Sequence, residues 1–180
     1  MADHRVVLIG GGARSGKSSL ALSLARKGGA RAVFLATAEA RDDEMRDRIS
    51  RHQAERGAAM TTLEEPIAVA RVLAAVDADL VLVDCLTLWL SNLLCAGLDD
   101  AAIERAVDEL VAVVAQRRIS TVLVTNEVGL GIVPESALAR RFRDLAGTTH
   151  RRLATEADEV YFAAMGLCLR IKPSSLLVEP

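Results

Sequence analysis

A mostly parallel α/β sheet flanked by helices and ended by a hairpin is the fold class that the sequence predicts. Three observations carry the expectation. Short runs rich in Val, Ile and Leu alternate with longer stretches of helical periodicity, the pattern of parallel strands joined by right-handed helical crossovers. The first such run, VVLI, leads through Gly11-Gly12-Ala13-Arg14-Ser15-Gly16-Lys17-Ser18 into the helical SSLALSLARK. That order of strand, glycine-rich loop and helix is the context in which G-x-x-x-x-G-K-[ST] reads as a P-loop. The last two apolar runs are separated by a tight Met165-Gly166 turn, which makes them a hairpin.

Taken in order, strands are expected over 5–9, 32–36, 80–83, 121–124, 159–163 and 167–171. The central ones are nearly unbroken apolar runs, as strands covered on both faces require. Helices are expected over 17–27, 41–55, 66–76, 86–96, 100–117 and 135–156. The helix over 41–55 has acidic residues in its first turn, Asp42, Asp43 and Glu44, which complements the helix dipole. The helix over 86–96 falls in the uncharged stretch from Cys85 to Leu98. With Thr87, Ser91 and Asn92 inside it, that stretch is too short to span a bilayer and reads as a buried helix. No repeat, low-complexity tract or Pro/Gly/Ser-rich linker interrupts the series, so residues 1–180 are expected to form one domain.

Composition excludes several function classes. With 51% hydrophobic residues in 180 positions, a sizeable core is available, and at 3% aromatic content it must be built from aliphatic side chains. The 22 basic and 24 acidic residues nearly cancel, to a net charge of -2, which gives no electrostatic case for nucleic acid or an anionic membrane surface. Cys85, Cys95 and Cys168 have no CxxC spacing and no histidine cluster nearby. Neither a disulfide framework nor a zinc site is expected, and a reducing cytoplasm suits the chain. The opening MADHRVVLIGGG has an apolar run too short for a signal peptide, and no membrane insertion is expected.

The P-loop dictates the chemistry to look for. Its glycines let the backbone wrap phosphates closely, and the exposed amides with the helix N-terminus supply partial positive charge. Lys17 is expected to reach the β- and γ-phosphates and Ser18 to ligate Mg²⁺. Asp84 ends the run LVLVD, where a second metal carboxylate belongs; the same residue also suits a helix cap. Glu127 leaves another strand into a loop with Gly129 and Gly131, where it reads either as a base or water-positioning group or as an ordinary solvent-facing carboxylate. Met45, Ile49, His52 and Arg56 recur at i, i+4, i+7 and i+11 on one helix face. On spacing alone His52 is either a packed, hydrogen-bonded residue or a nucleophile facing phosphates. His4 and His150 are expected at the surface, and Arg140, Arg141, Arg143, Arg151 and Arg152 as a solvated helix face with Asp144 and Glu156, or else a phosphate clamp.

Several stretches together resemble a known family: GGARSGKS (11–18), FLATAEARDDEMRDRISRHQAER (34–56), EEP (64–66), VDCLTLWLSNLL (83–94), TNEVGLGIVPESALARRFRDLAG (125–147) and RLATEADEVYF (152–162). The chain is similar, over nearly its whole length, to the bifunctional adenosylcobinamide kinases / adenosylcobinamide-phosphate guanylyltransferases of cobalamin biosynthesis. The resemblance implies two reactions at one nucleotide site: phosphorylation of adenosylcobinamide by ATP or GTP, then transfer of GMP from GTP to that phosphate. It implies a GMP–histidine intermediate on His52, and phosphate contacts from Gly11, Gly12, Ala13, Arg14, Ser15, Gly16, Lys17 and Ser18. It also implies GTP contacts from Thr37, Ala38, Glu39, Glu55, Arg56, Gly57, Ala58, Glu64 and Asp84. Residues 55–58 depart from the more basic, proline-containing version common in the family. A homotrimer is implied as well. Leu88, Trp89 and Leu93 are a candidate corrinoid surface, although the same residues suit a buried helix face. A single-function small-molecule kinase and a non-catalytic nucleotide-binding regulator are the competing readings.

Overall fold

The computed structural model describes residues 4–28, 31–39 and 60–174. The elements are β1 (Val6–Gly11), α1 (Lys17–Lys27), β2 (Ala32–Ala36), β3 (Thr61–Glu64), α2 (Val69–Ala75), β4 (Leu80–Asp84), α3 (Leu86–Cys95), α4 (Asp100–Ala115), β5 (Ser120–Val124), α5 (Ala137–Glu156), β6 (Glu159–Ala164) and β7 (Leu167–Lys172). The seven strands make one sheet in the order β3-β2-β4-β5-β1-β6-β7. Every pairing is parallel except β6 with β7, the antiparallel hairpin expected at the end.

Alternation along the strands divides the core into two layers. Val7, Ile9, Phe34, Leu82, Val122 and Val124 point to one face, where Ala21 and Ala25 of α1 cover them. Leu8, Leu35, Val83 and Leu123 point to the other, packed beneath residues such as Leu73, Trp89, Leu90, Ile103, Leu110 and Leu153 from α2 to α5. Small alanines on α1 let that helix sit close above the strand ends that carry the P-loop.

Trp89 and Leu93 are each 1% exposed, and the Trp89 indole donates to the Ile67 carbonyl at 2.8 Å. These two side chains are core, so a corrinoid surface built on them is ruled out by burial.

One strand and three boundaries stand out against the sequence reading, the other described ends agreeing to within two residues. β3 was not expected, because TTLE is short, polar and largely exposed at the sheet edge, and carries no apolar alternation to announce it. α2 starts at Val69 rather than 66 because the Glu65 carboxylate accepts from the Ile67 and Ala68 amides and caps a turn before the helix. α5 starts at Ala137, where Ser136 accepts from the Ala139 amide as N-cap. β1 runs on to Gly11, held by pairing with Ala163 of β6. The helix expected over 41–55 lies outside the described residues. No described helix is long and apolar enough to cross a membrane.

Candidate functional site

The strand register brings the separate motifs to one edge. Glu64 pairs with Ala36, Ala36 with Asp84, Asp84 with Val124, and Val124 with Ile9. Glu64 and Asp84 thus stand in one row across the carboxyl ends of β3 and β4. Thr37 and Thr125 each follow that row by one residue, and the P-loop leaves the same end of β1. Ligands of open parallel sheets gather at this edge.

Within the loop, Gly16 adopts φ 99° as N-cap of α1, a conformation that favours glycine. Gly11 has φ 151°, and a Cβ there would lie 2.3 Å from the Ala163 carbonyl oxygen. Gly11→Ala must therefore displace β6 or the loop. It is expected to destabilise the fold by about 1–3 kcal/mol and to weaken nucleotide binding, measured by urea unfolding and GTP titration. The Gly166 amide donates to the Ser15 carbonyl at 3.1 Å, so the hairpin turn braces the cradle from the side. Lys17 is 7% exposed, and its Nζ donates to the Gly12 carbonyl at 2.6 Å and lies 3.5 Å from Ser15 Oγ. Gly12, Ala13 and Arg14 are exposed, and Ser18 is half-buried in the first turn of α1.

The neighbouring strand ends are tied together by long-range hydrogen bonds. The Thr37 hydroxyl donates to the Cys85 carbonyl and accepts from the Cys85 amide, both at 2.8 Å. The Thr37 amide donates to the Asp84 carbonyl at 3.2 Å. Asn92 of α3, 5% exposed, donates to the carbonyls of Thr37 at 2.7 Å and Pro66 at 3.2 Å. Thr37 is fully buried with its polar atoms engaged inside the protein, while Ala38 and Glu39 are half-buried and Glu64 is exposed. Burial, and secondly the charge of half-buried Asp84, push the Cys85 thiol above its ordinary value, while the Lys17 ammonium acts in the opposite sense. Asp84 and Lys17 therefore act on one spot, and Cys85 stays an unreactive thiol.

Glu127 follows β5 directly beside the P-loop strand: its amide donates to the Gly11 carbonyl at 3.0 Å, and its carboxylate accepts from the Gly129 amide at 2.5 Å. Asn126 donates to Thr87 Oγ1 at 2.9 Å. His150 is not the surface residue expected of it; it is half-buried, with Nε2 2.5 Å from Thr125 Oγ1. Its signal was present in the sequence, since Ala146, Thr149 and Leu153 lie at the spacing of a buried helix face and His150 falls on the flank of that face.

Burial holds the His150 imidazole below its ordinary value of 6.5, against an opposing pull from the Glu127 charge. Between that lowered value and the ordinary one, the unfolded chain binds the extra proton. Folding stability from this group is thus complete above about pH 6.5 and falls as pH drops through the window. Thermal unfolding at neutral and mildly acidic pH should show a smaller acid loss in His150→Gln than in the wild type.

Of the five arginines only Arg151 is exposed as the expected solvated face requires. Arg141 pairs with Asp100 at 2.6 Å and Arg152 with Asp108 at 2.5 Å, latching α5 to α4. Arg140 donates to the Pro134 and Glu135 carbonyls, and only Arg143 pairs as expected with Asp144, at 3.4 Å. His52, Glu55, Arg56, Gly57 and Ala58 lie outside the described residues.

A family model described as cobinamide kinase / cobinamide phosphate guanyltransferase matches residues 7–171. The chain belongs to that family. The "Bifunctional adenosylcobalamin biosynthesis protein CobP" of Pseudomonas aeruginosa is 43% identical over 171 residues, covering 94% of this chain and 98% of the relative. The "Bifunctional adenosylcobalamin biosynthesis protein CobU" of Salmonella typhimurium is 42% identical over 181 residues, covering 93% and 99%. Among solved structures, the RadB recombinase superposes with a TM-score of 0.49 at 14% identity, over 88% of this chain and 73% of that one. As a member of the cobinamide kinase / guanyltransferase family, the chain is a transferase with nucleotide substrates.

Proposed function

We propose that this chain, acting as a single domain, phosphorylates the hydroxyl of the aminopropanol arm of adenosylcobinamide with ATP or GTP. It then transfers GMP from GTP to that phosphate, giving adenosylcobinamide-GDP and pyrophosphate. The observation that supports this most is the common edge shared by Lys17, Asp84, Glu64 and Glu127, drawn from four motifs far apart in the chain.

In the first reaction, Lys17 and the loop amides from Gly11 to Ser18 hold the β- and γ-phosphates and offset the charge that develops on transfer. Ser18 and Asp84 would be the donors for Mg²⁺. Both are half-buried oxygen donors, one in the first turn after the cradle and one at the carboxyl end of β4, and one or two such ligands with phosphate oxygens suit this ion. Bound there, it would add charge neutralisation on the phosphates. Glu127 orients the acceptor hydroxyl and accepts its proton.

In the second reaction the α-phosphorus is attacked. A His52 nitrogen forms the N–P bond as the bond to pyrophosphate breaks, and an oxygen of the cobinamide phosphate then displaces the imidazole. Ala38, Glu39, Glu55, Arg56, Gly57, Ala58 and Glu64 border the nucleotide in this reading. Thr37, fully buried, serves the nucleotide site indirectly by fixing the backbone around Asp84 and Cys85. A homotrimer and a cytoplasmic setting belong to the same reading, carried over from the family resemblance, and the free cysteines suit a reducing compartment.

The test is intact-protein mass spectrometry after incubation with GTP and Mg²⁺ at neutral to mildly alkaline pH, where a phosphoramidate survives. A GMP-sized adduct that disappears on adding adenosylcobinamide phosphate is the expected result. A chain that binds GTP, phosphorylates adenosylcobinamide and never gains mass would be the single-function kinase. One whose nucleotide turnover ignores adenosylcobinamide would be the regulator.

A further inference from the structure

The turn that follows β5 is held by three elements, β1, α3 and α5. Thr125 is 2% exposed, with its amide bonded to the Ile9 carbonyl at 2.9 Å and its hydroxyl 2.5 Å from His150 Nε2 on α5. Asn126 is held by Thr87 of α3. Glu127 is held to the P-loop strand through its amide. A buried hydroxyl needs a partner, and His150 is the partner that α5 brings. Without it, Thr125 has no side-chain tie to the helix that closes this face of the sheet.

We propose that His150 is a positioning residue for phosphoryl transfer, fixing Thr125 and through it the Asn126–Glu127 turn against the P-loop. The inference rests on the reading of Glu127 as the group that meets the acceptor hydroxyl. His150 does not touch substrate; it acts through a part-buried hydrogen bond, and a shift of about 1 Å at the turn is enough to cost on the order of 10²-fold in rate.

The arrangement is sensitive to protonation in a defined way. Neutral, the His150 Nε2 can accept from the Thr125 hydroxyl or donate to it. Protonated, it can only donate, and it sets a cation beside Glu127, the charged group that acts on it. Of the other elements packed on α5, β1 (VVLIGG) and α3 (LTLWLSNLLC) carry no charged side chain, and the Lys172 ammonium of β7 donates to the Ala154 and Thr155 carbonyls. From α4, Asp100 and Asp108 are held by Arg141 and Arg152, which fall on the flank of α5 opposite His150. On α5 itself, Arg143, seven residues before His150 on its own flank, is paired with Asp144, and Arg151 is exposed.

The experiment compares wild type, His150→Ala and His150→Gln in phosphoryl transfer to adenosylcobinamide, across a pH series, with thermal unfolding alongside. Expected are a kcat about 10–100-fold lower in His150→Ala with the nucleotide KM within about twofold, and substantial recovery in His150→Gln, whose amide can still bond Thr125. The wild-type kcat should fall on the acid side with a midpoint below the ordinary histidine value, and that limb should be missing from His150→Gln. An unchanged kcat in His150→Ala, or the same acid limb in His150→Gln, overturns the proposal while leaving the two-reaction reading intact. If His150→Ala does not fold, the pH series on His150→Gln decides alone. Wild-type protein that transfers no phosphate to adenosylcobinamide overturns the parent reading and this one with it.

Discussion

Lys17→Ala is expected to lower kcat for phosphoryl transfer by about 10²–10³-fold, the usual loss when one preorganised charge is removed from a phosphate-transfer site. The lysine is almost fully buried, its ammonium against the Gly12 carbonyl and its charge felt as far as Cys85. A cation held that way is already in position when negative charge builds on the transferring group, so no reorganisation is needed during the reaction. Guanylyl transfer should fall too, because the same ammonium orients the triphosphate whichever phosphorus is attacked. The losses need not be equal. Phosphoryl transfer moves the γ-group that Lys17 reaches, whereas guanylyl transfer expels pyrophosphate and needs its charge stabilised on leaving. Lys17→Arg should not restore either, since a planar guanidinium does not fit the space of a compact ammonium closed by the Gly12 carbonyl and Ser15. Single-turnover assays of both reactions, with GTP affinity and thermal unfolding measured on the same proteins, check this. Loss of rate without loss of fold is the expected pattern; full activity in Lys17→Ala would remove the P-loop from the mechanism.

What was legible in the sequence was what is encoded locally. The P-loop declares itself in eight consecutive residues from Gly11 to Ser18, Asp84 ends an unmistakable apolar strand, and Met165-Gly166 fits only a tight turn. The less legible parts depend on pairings between distant segments. β3 exists because β2 offers it an edge: nothing in TTLE demands a strand. Asn92 reads as one polar residue in an uncharged helix, and only the fold brings Thr37 and Pro66 to its amide. His150 was obscured by the adjacent Arg151 and Arg152, which suggest a solvated helix face. The helical phase set by Ala146, Thr149 and Leu153 was the better guide, because burial follows the face of a helix and not the polarity of chain neighbours. The arginines misled for a related reason: the acidic residues that hold Arg141 and Arg152 lie on α4, 41 and 44 positions away.

His52→Ala separates the two reactions if the chain works as proposed. The guanylyltransferase should fall by on the order of 10⁴-fold or more, the scale seen when a nucleophile is removed outright, and the GMP adduct should vanish from the mass spectrum. The kinase should keep most of its rate. The difference follows from which phosphorus reacts: the acceptor hydroxyl takes the γ-phosphoryl group directly, with charge neutralised by Lys17, and has no use for an imidazole. The α-phosphorus sits farther along the nucleotide and has to be approached on the side opposite its pyrophosphate leaving group. A nucleophile for it is best carried on a segment separate from the P-loop, and His52 is so placed in sequence, in the stretch between β2 and β3. Equal loss of both activities would mean that His52 helps hold the nucleotide and is no nucleophile. Loss of neither would return it to the packed residue that spacing alone allows. Discharge of the wild-type adduct by adenosylcobinamide phosphate, at a rate matching steady-state turnover, is the further requirement, because an intermediate that forms but transfers too slowly lies off the path.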